Sequence, residues 1–159
     1  MTLLPFFEWC ESTALGATIR ESVWLFPVIE AVHLVALVLI GGAILVGDLR
    51  LLRVMFVSQP AAQVVRDTQP WLIGALLVLV GTGVPLFLSE ATKCYYSGAF
   101  RVKIITLALV TLFAFTIRRT AVYSGKADAT PNVGMTLGAI SISLWFVVAV
   151  AGRWIGFSG

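Results

Sequence analysis

Two ionisable residues, Glu30 and His33, stand three positions apart inside a long apolar stretch, and Lys103 occurs early in a later one. Residues at i and i+3 lie on the same face of a helix, so the carboxylate and the imidazole are predicted to be neighbours. Ionisable groups are costly inside a membrane and usually mark a functional site. An ion pair between Glu30 and Lys103 would relieve the burial cost of both groups.

Three interpretations of His33 follow from its chemistry. A neutral imidazole is a ligand for iron and copper, so His33 is a candidate metal or haem ligand, with Glu30 as a second metal ligand. Imidazole also titrates near neutrality, which suits a proton relay with Glu30 and Lys103. The third interpretation is a buried polar residue bonded to a neighbouring helix. His33 is the only histidine in the chain, so two histidines of one protomer cannot hold a haem. The candidate cofactor-binding set is His33, Lys103, Arg101 and Arg153.

The elements that carry these residues are predicted to be membrane spans. Of the 159 residues 59% are hydrophobic and 12% charged, whereas soluble domains have about 25% charged residues. A span needs about 20 apolar residues, and membrane strands need only about 10 with strict alternation. We therefore predict an all-α, single-domain, integral membrane four-helix bundle in the lipid bilayer. Its spans lie at about 23–47, 71–88, 100–117 and 133–155.

A short amphipathic segment, about residues 5–20, precedes the first span. Its apolar and small residues recur at helical spacing on one face, and its acidic residues fall elsewhere. This pattern favours an interfacial helix lying in the membrane plane. The alternative is a soluble cap over one end of the bundle. No positively charged region precedes Arg20, so no cleavable signal peptide is predicted.

The distribution of Lys and Arg predicts the orientation of the chain. The loops after the first and third spans share one side and hold six Lys or Arg residues. The opposite side holds five, three of which lie within span ends. By the positive-inside rule, we predict a multi-pass protein with both termini outside the cytoplasm. Cys10 and Cys94 would then share an oxidising compartment, which predicts a disulfide between them.

Small residues at spacing of three or four mark a close-packing face on the fourth span. They are Gly134, Gly138 and Ser141. Such residues let helix backbones approach closely where lipid gives no hydrophobic drive to association. Tight packing within one bundle is the favoured interpretation, and a homo-oligomer through this face is the alternative.

Several function classes lack support in the sequence. No basic run exceeds two residues, so nucleic-acid binding has no electrostatic footprint. No nucleophile–base arrangement, glycine-rich phosphate loop or cysteine–histidine zinc spacing is present. The chain is therefore not predicted to be an enzyme of a soluble type.

Two motifs resemble those of known families. The stretch from Phe26 to Val35 with Gly47–Leu52, and the stretch Phe100–Lys103, resemble an uncharacterised family of small bacterial four-span membrane proteins. More distantly, the pattern is similar to CopD-like copper-resistance proteins and HemJ-type protoporphyrinogen oxidases. The latter use haem with a histidine and a lysine, to which His33 and Lys103 correspond loosely. The resemblance implies a bacterial inner-membrane protein that binds haem b or copper for electron transfer or for haem or copper handling. Small-solute or proton transport and a non-catalytic structural subunit remain the alternatives.

Overall fold

All the regular secondary structure in the part that the structure describes is helical. A computed structural model describes residues 3–155, and within them there is no strand. Four helices are long and apolar enough to cross a membrane, which confirms the all-α four-helix membrane fold. The helices are α1 Leu4–Glu11, α2 Ala14–Glu21, α3 Leu25–Leu51, α4 Ala61–Ser89, α5 Ala91–Tyr96, α6 Gly98–Phe113, α7 Arg119–Tyr123, α8 Lys126–Ala129 and α9 Pro131–Ile155, with a π-helical turn at Ala114–Arg118 joining α6 to α7.

The outer faces of the long helices are apolar and exposed, as a lipid environment requires. Val38 on α3, Leu77 on α4 and Phe146 on α9 each leave about 70% of their surface uncovered, at 73%, 70% and 69%. Exposure of such side chains to water all around a bundle would oppose folding. The chain is therefore an integral membrane protein.

The four long helices form a ring around a dry core. Helix α3 packs on α4 and on α9, α6 packs on α9, and α7 closes the ring against α4. Ile40, Val110 and Val148 at the centre are fully buried. Of the helices that are neighbours in the ring, α4 and α6 make the fewest close backbone contacts. We call the end with α1, α2 and α5 the terminal side, and the end with residues 52–60 and 124–130 the loop side.

Two of the helices extend well beyond the predicted spans. Helix α4 begins at Ala61, ten residues before Trp71. Its first turns are amphipathic rather than apolar, because Val64 is buried while Arg66 is exposed, so hydropathy alone does not detect them. The third span continues through the π-helical turn to Tyr123.

The N-terminal segment forms two helices, not the single predicted one. The break falls at Ser12 and Thr13, where the Thr13 hydroxyl accepts a hydrogen bond from the Gly16 amide and caps α2. Such capping favours a new helix start over continuation. The exposed Phe6 and Trp9 side chains suit the predicted interfacial location, which stays a prediction.

A carboxylate holds these two helices to α5. Glu11 accepts a hydrogen bond from the Thr92 amide (2.7 Å) and pairs with Arg20 (3.0 Å). The hydrogen bonds from Thr92 hold the pKa of Glu11 below its usual value. This attachment fixes α1 and α2 over the terminal-side end of the ring.

The small-residue face of α9 is used inside the protomer. A Cβ added to Gly134 would lie 2.7 Å from the Ala127 carbonyl oxygen, and one added to Gly138 would lie 3.1 Å from that of Asp48. Ser141 is fully buried. These contacts agree with the favoured interpretation, tight packing within one bundle. A homo-oligomer stays a prediction.

The glycine contacts predict opposite outcomes for two alanine substitutions. Gly134→Ala should destabilise the protein by about 1–3 kcal/mol, because the clash is with backbone that cannot rotate away. Gly74→Ala meets no atom within 4 Å and should be neutral or stabilising by up to about 1 kcal/mol, since alanine favours helix. Thermal unfolding of both variants in the same detergent measures the difference, and equal midpoints would contradict the packing described here.

Candidate functional site

The His33 and Lys103 side chains meet in the terminal-side half of the ring. His33 projects from α3 and Lys103 from α6, and their Nε2 and Nζ atoms are 3.4 Å apart. On the other side of the imidazole, Nδ1 lies 2.9 Å from the hydroxyl oxygen of Thr82 on α4. Three helices therefore supply one side chain each to a single polar site.

Hydrogen bonding determines which histidine nitrogen carries the proton. The Thr82 hydroxyl has one proton, and it donates that proton to the Val78 carbonyl at 2.7 Å. Thr82 must therefore accept a hydrogen bond from His33, so Nδ1 is the protonated nitrogen. The unprotonated Nε2 then directs its lone pair toward Lys103. A metal-ligating histidine usually has this arrangement. One ring nitrogen donates a hydrogen bond that orients the ring, and the other keeps its lone pair free for the metal.

The His33 and Lys103 side chains each pack against a glycine of a neighbouring helix. A Cβ on Gly83 of α4 would come within 3.3 Å of His33 Cε1, and a Cβ on Gly152 of α9 within 3.5 Å of Lys103 Cε. Both glycines lie in helix interiors, where glycine is unfavourable and therefore usually has a packing reason. Here the reason is space for the imidazole and the ammonium group.

Aromatic rings cover the site toward the terminal side. Phe87 at the end of α4 stacks on Phe100 at the start of α6, with ring centroids 5.8 Å apart. Phe7 of α1 packs edge-on against Phe87 and Tyr95, at 5.5 and 5.2 Å. This aromatic cluster joins the end of α4 to the start of α6 and to α1 and α5.

The other predicted site residues, Glu30, Arg101 and Arg153, are exposed, whereas His33 and Lys103 are partly buried. Glu30 is exposed on α3, so its predicted ion pair with Lys103 is not formed; Lys103 contacts His33 instead. The i, i+3 spacing leaves the two side chains about 60° apart around the helix, and only His33 faces the ring. Arg101 and Arg153 are also exposed. Within residues 3–155 no three His, Cys, Asp or Glu side chains converge as a metal site.

The two cysteines are free thiols, so the predicted disulfide is not present in the structure. Both are buried, Cys10 on α1 and Cys94 on α5. Burial raises the pKa of the Cys94 thiol to about 11; the nearby Glu90 carboxylate adds to the rise, and Lys103 and Lys93 oppose it. Disulfide formation needs a thiolate, which this environment disfavours.

The raised pKa predicts how Cys94 reacts with an alkylating reagent. In the folded protein, labelling should keep rising about tenfold per pH unit from pH 8 to 10, because the thiolate fraction grows until pH reaches the pKa. In the SDS-unfolded chain the rate should level off above about pH 9, since an unperturbed thiol has a pKa near 8.5. Mass spectrometry of the Cys94 peptide measures both rates; a folded-state plateau near pH 9 would contradict the assignment.

A second polar cluster, in the loop-side half, was not predicted. Asp48 of α3 and Arg118 of the π-helical turn form an ion pair at 3.0 Å, with side chains only 0% and 5% exposed. The Ser141 side chain on α9 also lies beside the Asp48 carboxylate, so Asp48, Arg118 and Ser141 form one buried polar cluster. Arg118 Nε and Trp145 Nε1 are buried and make no hydrogen bond within residues 3–155.

The Asp48–Arg118 ion pair was not predicted because the predicted membrane spans end too early. The predicted first and third spans end at 47 and 117, one residue before each member, so both charges were counted as loop charges. The available signal was Gly47, whose added Cβ would clash with the Arg118 guanidinium. A π-helical turn is also frequent at functional sites, but its position is not readable from composition.

The fold and this site define the chain as a small four-helix membrane protein with a buried imidazole–amine pair. Residues 6–158 match the model of a family of unknown function, DUF6644, and the chain belongs to that family. Searches of curated proteins and of solved structures found no match. The comparisons thus support the uncharacterised family and give no support to the more distant CopD-like and HemJ-type likeness.

Proposed function

We propose that the protein binds a haem-type cofactor in the terminal-side half of the ring, with His33 Nε2 and Lys103 Nζ as nitrogen ligands. The observation that carries the proposal is the Nδ1–Thr82 hydrogen bond, which leaves Nε2 unprotonated and directed at a second nitrogen donor. Bound iron would supply one-electron chemistry. Electron transfer or haem handling is therefore the proposed activity.

The residues at the site fit such a group in kind and spacing. A neutral imidazole and a deprotonated amine each offer a lone pair that would bind iron. The two nitrogens are 3.4 Å apart, and the lysine arm is long and flexible, so Nζ could move to admit the metal between them. Among the neighbouring helices of the ring, α4 and α6 make the fewest close backbone contacts, so a flat group would enter from that side. Copper alone is less well supported, because no three His, Cys, Asp or Glu side chains converge in the described range.

The remaining predicted residues take outer roles in this proposal. Arg101, four residues into α6, and Arg153, near the end of α9, are both on the terminal side. Guanidinium groups bind carboxylates well, so these two arginines would pair with acidic substituents of a tetrapyrrole. Glu30 has no assigned role in binding.

An absorption spectrum tests the proposal directly. The detergent-purified chain, expressed with a haem precursor or titrated with haemin, should develop a Soret band that saturates at one equivalent per protomer. An excess of imidazole should shift that band, because it competes with a nitrogen ligand. A titration that never saturates, or a spectrum identical to haemin in empty detergent micelles, would refute haem binding at a defined site.

Transport by Glu30, His33 and Lys103 is the weaker alternative. His33 and the Asp48–Arg118 pair are 15 residues apart on α3, which is about 22 Å along a helix. The fully buried apolar side chains of Ile40, Val110 and Val148 occupy the ring between them. A proton path needs linked polar groups, so this apolar layer favours a fixed cofactor over conduction.

We further propose that the terminal side faces away from the cytoplasm of a bacterial inner membrane. On the loop side, Arg53, Arg66, Arg119 and Lys126 remain after the Arg50–Asp128 and Arg118–Asp48 ion pairs are set aside. Such charges are retained on the cytoplasmic side. A reporter that is active only when exported, fused after Gly159, should be active; activity of a cytoplasm-only reporter there would reverse the orientation.

A further inference from the structure

The loop that joins α3 to α4 exposes a run of four apolar side chains. Val54, Met55, Phe56 and Val57 leave 65%, 48%, 42% and 54% of their surfaces uncovered. They follow the end of α3, so they are not part of the lipid-facing surface of a span. Contiguous exposed apolar residues on a protein surface mark a binding or membrane-contact site.

The conformation of this loop is held by specific bonds. The amides of Val54 and Met55 donate to the Leu49 carbonyl at 2.9 and 3.3 Å. Arg50 donates through Nε to the Gln59 carbonyl at 2.5 Å and pairs with Asp128 at 2.7 Å. The four apolar side chains therefore lie on a loop whose backbone is fixed by hydrogen bonds and an ion pair.

Two backbone angles in this loop also indicate a conformation that the surrounding structure enforces. Arg53 and Phe56 adopt left-handed φ angles of 58° and 55°, which are uncommon for residues other than glycine. Such conformations persist only where the surrounding structure enforces them, and they cluster at functional sites.

Next to the apolar run is a cleft with a cationic wall. Its volume is about 270 Å³, and Arg53, Val57, Ser58 and Asp128 are among its lining residues. Arg50 neutralises Asp128, whereas Arg53 only donates to the Asp128 backbone carbonyl at 3.2 Å. The cleft therefore combines an uncompensated guanidinium, a hydroxyl and an apolar edge.

We propose that this loop and cleft bind an anionic phospholipid of the leaflet on the loop side. Arg53 and Ser58 would hold the headgroup phosphate, because guanidinium and hydroxyl groups are strong partners of phosphate oxygens. The residues Val54–Val57 would contact the acyl chains at the membrane interface.

Charge complementarity favours a lipid as the occupant. Of the loop-side charges outside the two ion pairs, Arg53, Arg66, Arg119 and Lys126 face one carboxylate, Asp67, a surplus of three positive charges. Basic residues beside a membrane attract anionic lipids, and apolar residues beside them add acyl-chain contact. A free phosphate would use the cleft but not the apolar run.

Native mass spectrometry of the full chain tests the proposal, using phosphatidylglycerol and phosphatidylcholine with identical acyl chains. Phosphatidylglycerol should bind more tightly. Arg53→Gln should weaken its binding about fivefold, because one basic residue near an anionic membrane contributes about 1 kcal/mol. Arg66→Gln removes the same charge from the same side but outside the cleft, so it should change binding less than about twofold.

Further variants separate the two parts of the site and the possible sources of phosphate. Ser58→Ala, at an exposed position, should also weaken phosphatidylglycerol binding, by about twofold or more. The double variant Val54→Ser/Val57→Ser should weaken binding of both lipids. Equal affinity for the two lipids, equal effects of Arg53→Gln and Arg66→Gln, or displacement of phosphatidylglycerol by millimolar inorganic phosphate would each overturn the proposal.

Discussion

Replacing Arg118 by alanine is expected to destabilise the protein by about 3–5 kcal/mol, the cost of leaving a buried charge without its partner. The Asp48 carboxylate is fully buried, and Arg118 is the cation beside it, at 3.0 Å. A buried carboxylate without its cation is costly, because nothing then offsets the loss of its hydration. Urea- or heat-induced unfolding in a mild detergent, compared with wild type, measures the loss.

Two controls make this result specific. Arg119→Ala removes the neighbouring arginine, which is exposed and stacks on the Tyr123 ring at 5.5 Å; its cost should be about 0.5–1 kcal/mol. The double variant Asp48→Leu/Arg118→Met removes both charges and should be less destabilised than Arg118→Ala, because an apolar pair can replace a buried ion pair. If the double variant is no better than the single one, the pair is not a coupled unit.

Replacing His33 by alanine is expected to abolish saturable haem binding, the largest functional effect that the proposal predicts. The substitution removes the nitrogen directed at Lys103 and leaves the amine as the one remaining donor of the pair. The folded state should survive, since His33 is only partly buried and lies next to Thr82, whose hydroxyl keeps its bond to Val78. Haemin titrations followed at the Soret band, with unfolding midpoints recorded in parallel, measure both effects.

Thr82→Val provides an intermediate step between wild type and His33→Ala. It retains the ligand but removes the acceptor that orients Nδ1–H, so affinity should fall about 10–100-fold. Thr116→Val is the matched control, because Thr116 makes the same type of hydroxyl bond to its own helix, to the Leu112 carbonyl, at an exposed position. Unchanged affinity in both His33→Ala and Thr82→Val would place any haem elsewhere on the chain.

The sequence was informative about the fold because lipid exposure leaves a strong compositional signal. Apolar runs long enough to span a bilayer were sufficient to place four helices. The ends were less well predicted, since the first turns of α4 are amphipathic and the end of the third span includes Arg118, which hydropathy assigns to a loop. Hydropathy cannot predict where a helix ends when the polar side chains near that end are paired or point into the bundle.

The site was predicted in part, for reasons that concern particular residues. His33 and Lys103 were recognisable because each is an isolated ionisable group in an apolar stretch, and the structure brings these two together. Thr82 was missed because a threonine in a span is unremarkable without its neighbour. Glu30 was grouped with His33 by spacing alone, yet a rotation of about 60° per i, i+3 step places it outside the ring. A disulfide between Cys10 and Cys94 was predicted because both lie on the same side of the membrane. Topology does not show whether the thiols are buried or close enough to react.

The Asp128 carboxylate also determines when the loop side can be completed during synthesis. Its oxygens bind Arg50, 78 residues earlier, and the Ala61 amide at the start of α4, 67 residues earlier. At about 5–20 residues per second, the ribosome needs roughly 3–13 s to proceed from Ala61 to Asp128. The α3–α4 hairpin therefore lacks the bonds from Arg50 and Ala61 to Asp128 until the third membrane helix has been synthesised. A nascent chain truncated before Asp128 should have a protease-sensitive loop at residues 52–60.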